Sequence, residues 1–170
     1  EGIDRADVWV FDATSLGTTI GGTPVDVLTF FSDTPRALAT DGTTVYVAAF
    51  MSGNQTTVVN EVVVNDGFGA SGAPGPNDNA NGDPAPEVGV IVKLTGGNWL
   101  DANGTNRNAS IPFDLPDNDV FAVNANTLTK GTVFSSVGTT LFNMAINPTS
   151  GKIYVTNTDS PNEVMFEGHG

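Results

Sequence analysis

Two stretches of the chain carry one pattern, DVWVFDATSL at 7–16 and DVFAVNANTL at 119–128. Each is followed, at a similar distance, by one member of a second matching pair: LATDGTTVYVAAFMSGN at 38–54 and MAINPTSGKIYVTNTDSPN at 144–162. Recurrence of a strand–turn–strand unit is typical of repeat proteins, in which each unit buries its apolar face against the next. The sequence therefore predicts repeated antiparallel strands, with the two copies in equivalent positions of different sheets.

The composition is typical of a β protein with many turns. The 170 residues include 20 Gly and 10 Pro. No segment of about ten residues has the apolar spacing of a helix and is free of Gly and Pro, so long helices are not expected. Asp41-Gly42 indicates a hairpin turn, and Pro148 with Gly151 indicates another. Strands that alternate with turns at this spacing predict an all-β barrel, sandwich or propeller.

The expected strands are short and follow one another without a helix between them. They cover residues 8–12, 25–31, 36–40, 45–50, 58–64, 88–94, 110–115, 120–124, 132–137, 141–146 and 152–156. Trp9 is expected to pack in the core of these strands, and Trp99 in a loop.

The chain changes character between the two copies. Residues 65–87 are almost wholly Gly, Pro, Asn, Asp, Ala and Ser, so they cannot bury enough apolar surface to fold by themselves. We expect an insertion or flexible loop there, and a polar loop at 95–109. Apart from these two segments, residues 1–170 are expected to form one partial array of sheets.

Charge excludes several classes of partner. The net charge is −13, from 19 acidic and 6 basic residues, so the chain lacks the basic stripe that binds nucleic acid phosphates. No apolar run reaches the roughly 18 residues of a membrane helix, and the absence of Cys excludes disulfides, thiol nucleophiles and Cys zinc sites. We expect neither nucleic acid binding nor membrane insertion, and an acidic surface that keeps the protein dispersed.

The segment IYVTNTDSPNEV at 153–164 resembles the Tyr-Val-Thr-Asn (YVTN) repeat of bacterial surface and periplasmic β-propellers. PRALATDGTTVYVAAF, from Pro35, and LFNMAINPTSGKIYVTNT, from Leu141, resemble the first two strands of such a blade. VWVFDATSL and VFAVNANTL resemble its third strand. The copies depart from the family pattern at 46–49, where Tyr-Val-Ala-Ala replaces the signature, and at 124–125, where Asn-Ala replaces Ile-Asp.

This resemblance implies a β-propeller segment of about two to four four-stranded blades, whereas a ring ordinarily has 4–8. The chain begins at Glu1 without Met, which we interpret as a processed or internal start. We therefore expect a fragment whose ring is completed by remaining blades or by neighbouring protein chains. The family implies an extracellular, cell-surface or periplasmic location.

Two functions are compatible with that resemblance, because propellers support many unrelated activities. The first is a non-enzymatic scaffold or binding module within a larger protein or assembly. The alternative is a lactonase-like or quinone-dependent dehydrogenase-like enzyme whose site is completed by residues outside this chain. His169 is the only histidine and has no partners for a catalytic triad, so no catalytic or cofactor-binding residue is predicted.

Oxygen-bearing side chains cluster in a way that suits calcium, which accepts carboxylate and carbonyl oxygens. The candidate ligands are Asp101 and Asn103, with Asp114, Asp117 and Asp119 further along the chain. The alternative is that these side chains cap turns through hydrogen bonds to the backbone.

A second calcium-like segment begins at Asn77. It matches the first half of a calcium loop but has Val88 where the bidentate acid belongs, and we interpret it as a hydrophilic loop.

Overall fold

The computed structural model describes residues 5–60, 79–83, 89–113 and 116–159. They form two compact units. The first comprises residues 5–54 and 116–159, and the second comprises the described residues between them in sequence. Every described strand pairs antiparallel, no sheet closes on itself and none of these residues is in an α-helix. The all-β class is therefore confirmed for the described residues.

The strands agree closely with most of the expected segments. They are β1 (Arg5–Val10), β2 (Asp26–Phe31), β3 (Pro35–Thr40), β4 (Thr44–Ala49), β5 (Thr56–Val59), β6 (Val90–Thr95), β7 (Asn98–Leu100), β8 (Val120–Asn124), β9 (Lys130–Phe134), β10 (Thr140–Ile146) and β11 (Ile153–Thr158). The strand expected at 110–115 is absent over 110–113: Ser110 ends a 3-10 turn, Asn108–Ser110, and 111–113 form no regular structure, while 114–115 lie outside the described residues.

The first unit contains three antiparallel sheets. β3, β4, β8 and β9 form a central four-stranded sheet in that order, β1 pairs with β2, and β10 pairs with β11. Each strand and its repeat equivalent lie in different sheets, as β1 and β8 do, or β4 and β11. The two copies are not separate, however, since the central sheet takes two strands from each. β3 and β4 come from the end of the first copy, and β8 and β9 from the start of the second.

The two middle strands of the central sheet, β4 and β8, contribute buried side chains to both faces, whereas β9 is exposed along its length. Successive side chains of a strand point to opposite faces, and β4 uses both. A first core, between the central sheet and β1–β2, contains Leu28, Phe30, Val47, Ala49, Phe121 and Val123, with Val8, Val10 and Val45 packed against it. A second core, between the central sheet and β10–β11, contains Ala48, Val120, Leu141 and Met144, with Ile153 and Val155 packed against it.

Short polar side chains fix the turns that connect these strands. Asp41 Oδ1 accepts the backbone N–H groups of Thr43 and Thr44, at 2.8 and 2.7 Å, between β3 and β4. Asn147 Oδ1 accepts those of Thr149 and Ser150 between β10 and β11. Both hairpins expected from the sequence are confirmed, and their turns are closed by the same Asx chemistry.

The second unit is a three-stranded sheet in the order β5, β6, β7. Its core contains Val59, Val90, Val92 and Trp99. The expectations for the two tryptophans are wrong: Trp99 lies in β7 and is 8% exposed, whereas Trp9 is 53% exposed. β7 also lies within the segment 95–109, which we expected to be a loop. Of the expected insertion 65–87, only 79–83 is described, and Asn79 closes a turn there through its Oδ1.

We expect Phe121→Ala to destabilise the first unit strongly. The Phe121 ring packs 4.8 Å from that of Phe30, centroid to centroid, in the first core, and removing a buried Phe costs about 3–5 kcal/mol. Phe142→Ala is the matched control, because Phe142 is 44% exposed. Chemical denaturation should show a large loss of unfolding free energy for the first variant and a small one for the second. Equal losses would contradict the assignment of the core.

Candidate functional site

Asp101, the first candidate calcium ligand, is committed to its own loop. Its Oδ1 accepts the N–H groups of Asn103 and Thr105, both at 2.9 Å. Its Oδ2 lies 3.1 Å from Arg107 Nε and 3.0 Å from Nη2, and the carboxylate is fully buried. A cation at Asp101 would have to compete with a guanidinium already in contact. The arrangement stabilises the loop after β7, and Asn103 contributes a backbone N–H to it.

Asp117 and Asp119 form a second, different arrangement in the first unit. Asp117 Oδ2 accepts the Ser136 N–H at 3.0 Å and its hydroxyl at 3.3 Å. Asp119 Oδ2 accepts the Val137 N–H at 2.6 Å. The two carboxyl groups therefore hold the turn that follows β9, where Ser136 has a positive φ of 59°, a backbone conformation that L-residues rarely adopt.

The remaining oxygens of this pair are buried without a donor. Asp119 is fully buried and Asp117 is 8% exposed, and no N–H or hydroxyl of the described residues reaches the Oδ1 atom of either. Burial raises the pKa of the Asp117 carboxyl, and the charge of Asp119 and a hydrogen bond to it raise that pKa further. The Ser136 contacts act in the opposite direction. The raised pKa favours the protonated form of Asp117, which has a hydroxyl donor that the ionised form lacks.

The described candidate calcium ligands form two pairs, Asp117 with Asp119 in the first unit and Asp101 with Asn103 in one loop of the second. Asp114 lies outside the described residues, and Asp101 and Asn103 lie in the second unit. In the described ranges no three His, Cys, Asp or Glu side chains converge as a metal site requires. The Asp117–Asp119 pair offers two uncommitted oxygens, whereas calcium takes 6–8. Calcium binding at this pair stays a prediction, and the geometry accounts for both residues as capping groups.

The two outer sheets of the first unit expose large apolar side chains. Trp9 and Phe31, on the face of β1–β2 away from the first core, are 53% and 55% exposed. Tyr154, on β11, is 58% exposed. Of the described strands, only β10 pairs with β11 and only β2 pairs with β1. The unit therefore carries strand edges that no described strand pairs with, and those of β1 and β11 lie beside exposed apolar side chains. Sequence reasoning missed this because it placed Trp9 in the core.

Over the ranges that the structure describes, no helix has the length and apolarity needed to cross a membrane. Comparison with protein-family models, curated proteins and solved structures finds no match for this chain.

Asp117→Asn tests the role of the acidic pair. Because the pKa of Asp117 is raised on folding, the folded state holds more protons than the unfolded state between the usual value, about 3.9, and the raised one. The stability of the unsubstituted protein should therefore fall as pH rises through that window and stay lower above it. An Asn amide can donate to Asp119 without titrating, so the variant should lose this fall in thermal melts recorded from pH 4 to 8.

Calcium gives the same variant a second use. Bound by the two carboxylates, calcium would raise the melting temperature of the unsubstituted protein at neutral pH and have a much smaller effect on Asp117→Asn. A calcium response of equal size in both proteins would remove this pair as a calcium site. A pH profile that is identical in both proteins would contradict a raised pKa of Asp117.

Proposed function

We propose that this chain is a β-propeller segment of the YVTN repeat type that serves as a non-enzymatic scaffold or binding module. The observation that carries the proposal is the succession of sheets in the first unit. Repeat-equivalent strands occupy successive sheets, and the central sheet has the four strands of one blade in meander order, β3-β4-β8-β9. Extracellular, cell-surface or periplasmic placement follows from the family resemblance and suits an acidic chain of net charge −13.

Binding rather than catalysis is supported by what the acidic side chains do. Asp101 is paired with Arg107, and Asp117 and Asp119 are buried against a backbone turn. These carboxylates hold loops and are not presented to a substrate. The accessible features of the first unit are apolar sheet faces and free strand edges, which bind other polypeptides by packing and strand addition.

The arrangement of the sheets has a direct test. In an experimentally determined structure of the chain, one rotation should superpose β1–β2 on β8–β9 and also β3–β4 on β10–β11. Blades of a ring with 4–8 members differ by about 45–90° around a shared axis, whereas the sheets of a β-sandwich stay within about 30° of each other. Two different rotations, or one without a shared axis, would contradict the propeller.

The proposed location can be tested separately on cells of the source organism. Protease added to intact cells, or to cells with a permeabilised outer membrane, should release peptides of this chain before those of a cytoplasmic marker protein. Release of the peptides only together with the marker, on lysis, would contradict an extracellular, surface or periplasmic function.

A further inference from the structure

An apolar groove lies beside the free edge of β11. It has a volume of about 440 Å³ and is lined by Val120, Phe134, Val137, Gly151, Ile153 and Val155. All six residues belong to the first unit. The groove continues the second core, which already contains Val120 and has Val137, Ile153 and Val155 packed against it.

Among the described residues, the groove repeats the first core without a strand equivalent to β8. Aligning Tyr46 with Tyr154 makes Val155 the equivalent of Val47, and aligning Asp7 with Asp119 makes Val120 the equivalent of Val8. In the first core, the remaining wall is supplied by Phe121 and Val123 of β8, which pairs with β4. Nothing described pairs with β11 in the way that β8 pairs with β4.

The missing side chains have equivalents elsewhere in this chain. Those of Phe121 and Val123 are Trp9 and Phe11, at and just beyond the end of β1. Trp9 is 53% exposed and points away from the first core, and its cross-strand partner Val27 is also exposed. β1 also has a free edge, since only β2 pairs with it among the described strands. β1–β2 thus carries the side chains that the groove lacks. Within one copy, however, the other face of β1–β2 already packs in the first core.

We propose that the groove beside β11 binds β1–β2 of a second copy of this chain, so that β10, β11, β1 and β2 complete one four-stranded sheet across the two copies. This inference rests on the repeat of sheets that underlies the proposed function. It names the partner of the free edges, and it makes the interface head-to-tail, which generates a ring where the rotation closes and a filament where it does not.

The register follows from the central sheet. Thr44 pairs with Asn124 and Val47 with Phe121 across β4 and β8. The equivalent pairs between copies are Lys152 with Asp12 and Val155 with Trp9. The first joins opposite charges at an exposed strand end, and the second places the indole over the groove.

The chain's own residues after β11 are a weaker match to the groove. Glu163-Val164-Met165 repeats the acid–valine start of β1 and β8. However, the same alignment puts Glu167 at the position of Phe11, and a carboxylate in an apolar groove is strongly unfavourable. It also puts Gly168 opposite Lys152, where β1 supplies the carboxylate of Asp12.

Disulfide trapping tests the register, because the chain has no Cys. Opposed Cα atoms in an antiparallel pair lie about 4.5–5.5 Å apart, within the range that a disulfide spans. A chain carrying both Lys152→Cys and Asp12→Cys should form covalent multimers under mild oxidation. The matched control carries Lys152→Cys and Asp26→Cys. Asp26 is also exposed but lies on β2, one strand further from β11, so this control should remain at background.

Substitutions in the trapped background identify the contact. Trp9→Ala should reduce the multimer yield about tenfold or more, as expected for a buried aromatic anchor. Ile20→Ala, at a fully exposed turn position, should leave it unchanged. Equal yields from the two cysteine pairs, or a yield insensitive to Trp9→Ala, would overturn the proposal.

Met165→Asp tests whether the chain's own residues after β11 occupy the groove instead. Multimers that form only in this variant would assign the groove to the chain's own later residues and would also overturn the proposal. A failed cross-link combined with a single rotation between the sheets would leave the propeller function standing without the second copy.

Discussion

Burial of β4 on both faces is the constraint on which the first unit depends. Val47 and Ala49 contribute to one core and Ala48 to the other, so neither face of β4 is open to water. A strand of this kind needs a sheet on each side. The repeat supplies these neighbours from within the chain, as β1–β2 on one face and β10–β11 on the other. Each of those outer sheets has two described strands. The outer face of each is in turn left without a covering sheet among the described residues.

Several Asp and Asn side chains of the described residues accept hydrogen bonds from the backbone at turns. Asp41 and Asn147 close equivalent hairpins, and Asn124 Oδ1 accepts two N–H groups of the turn after β8. Asp12 accepts the Thr14 N–H at the equivalent place after β1. Hydrogen bonds from Thr hydroxyl and backbone N–H groups hold the pKa values of Asp12 and Asp41 below their usual range. The negative charges of these two residues are thus fixed at turns, where a carboxylate is favoured over its protonated form.

The strands and hairpins could be predicted from the sequence because their signals are local. Alternation of apolar residues and the turn residues around Asp41 and Asn147 act over a few positions, and the strand bounds differ from expectation by a few residues. Sheet membership could not be predicted in the same way. β4 and β8 pair with each other, but residues 55–115 of the second unit lie between them in sequence. Their pairing therefore has no local signal. The strand expected from residue 110 failed because a 3-10 turn satisfies that backbone instead.

Burial was the least predictable property of the candidate site. Trp9 and Trp99 both look like core residues by type, yet only the residue with sheet neighbours on its face is buried. Asp117 and Asp119 carry no sequence mark that separates them from exposed turn acids. Their burial arises because the turn at Ser136 folds over them, and this is a tertiary effect. The same two residues therefore suggest calcium by their composition in the sequence and form a buried pair of carboxyl groups in the fold.

An exposed edge beside an apolar face is a hazard that proteins ordinarily blunt with charge or proline. β11, Ile153–Thr158, contains neither, and Lys152 just before it is the nearest basic residue. Protection of this edge comes instead from the net charge of −13, which repels copies that approach in any orientation. Specific pairing has to overcome this repulsion through apolar contact and a local match of opposite charges. The repulsion weakens every register alike, so the proposed register is favoured by its own contacts, the burial of Trp9 and the pairing of Lys152 with an acid.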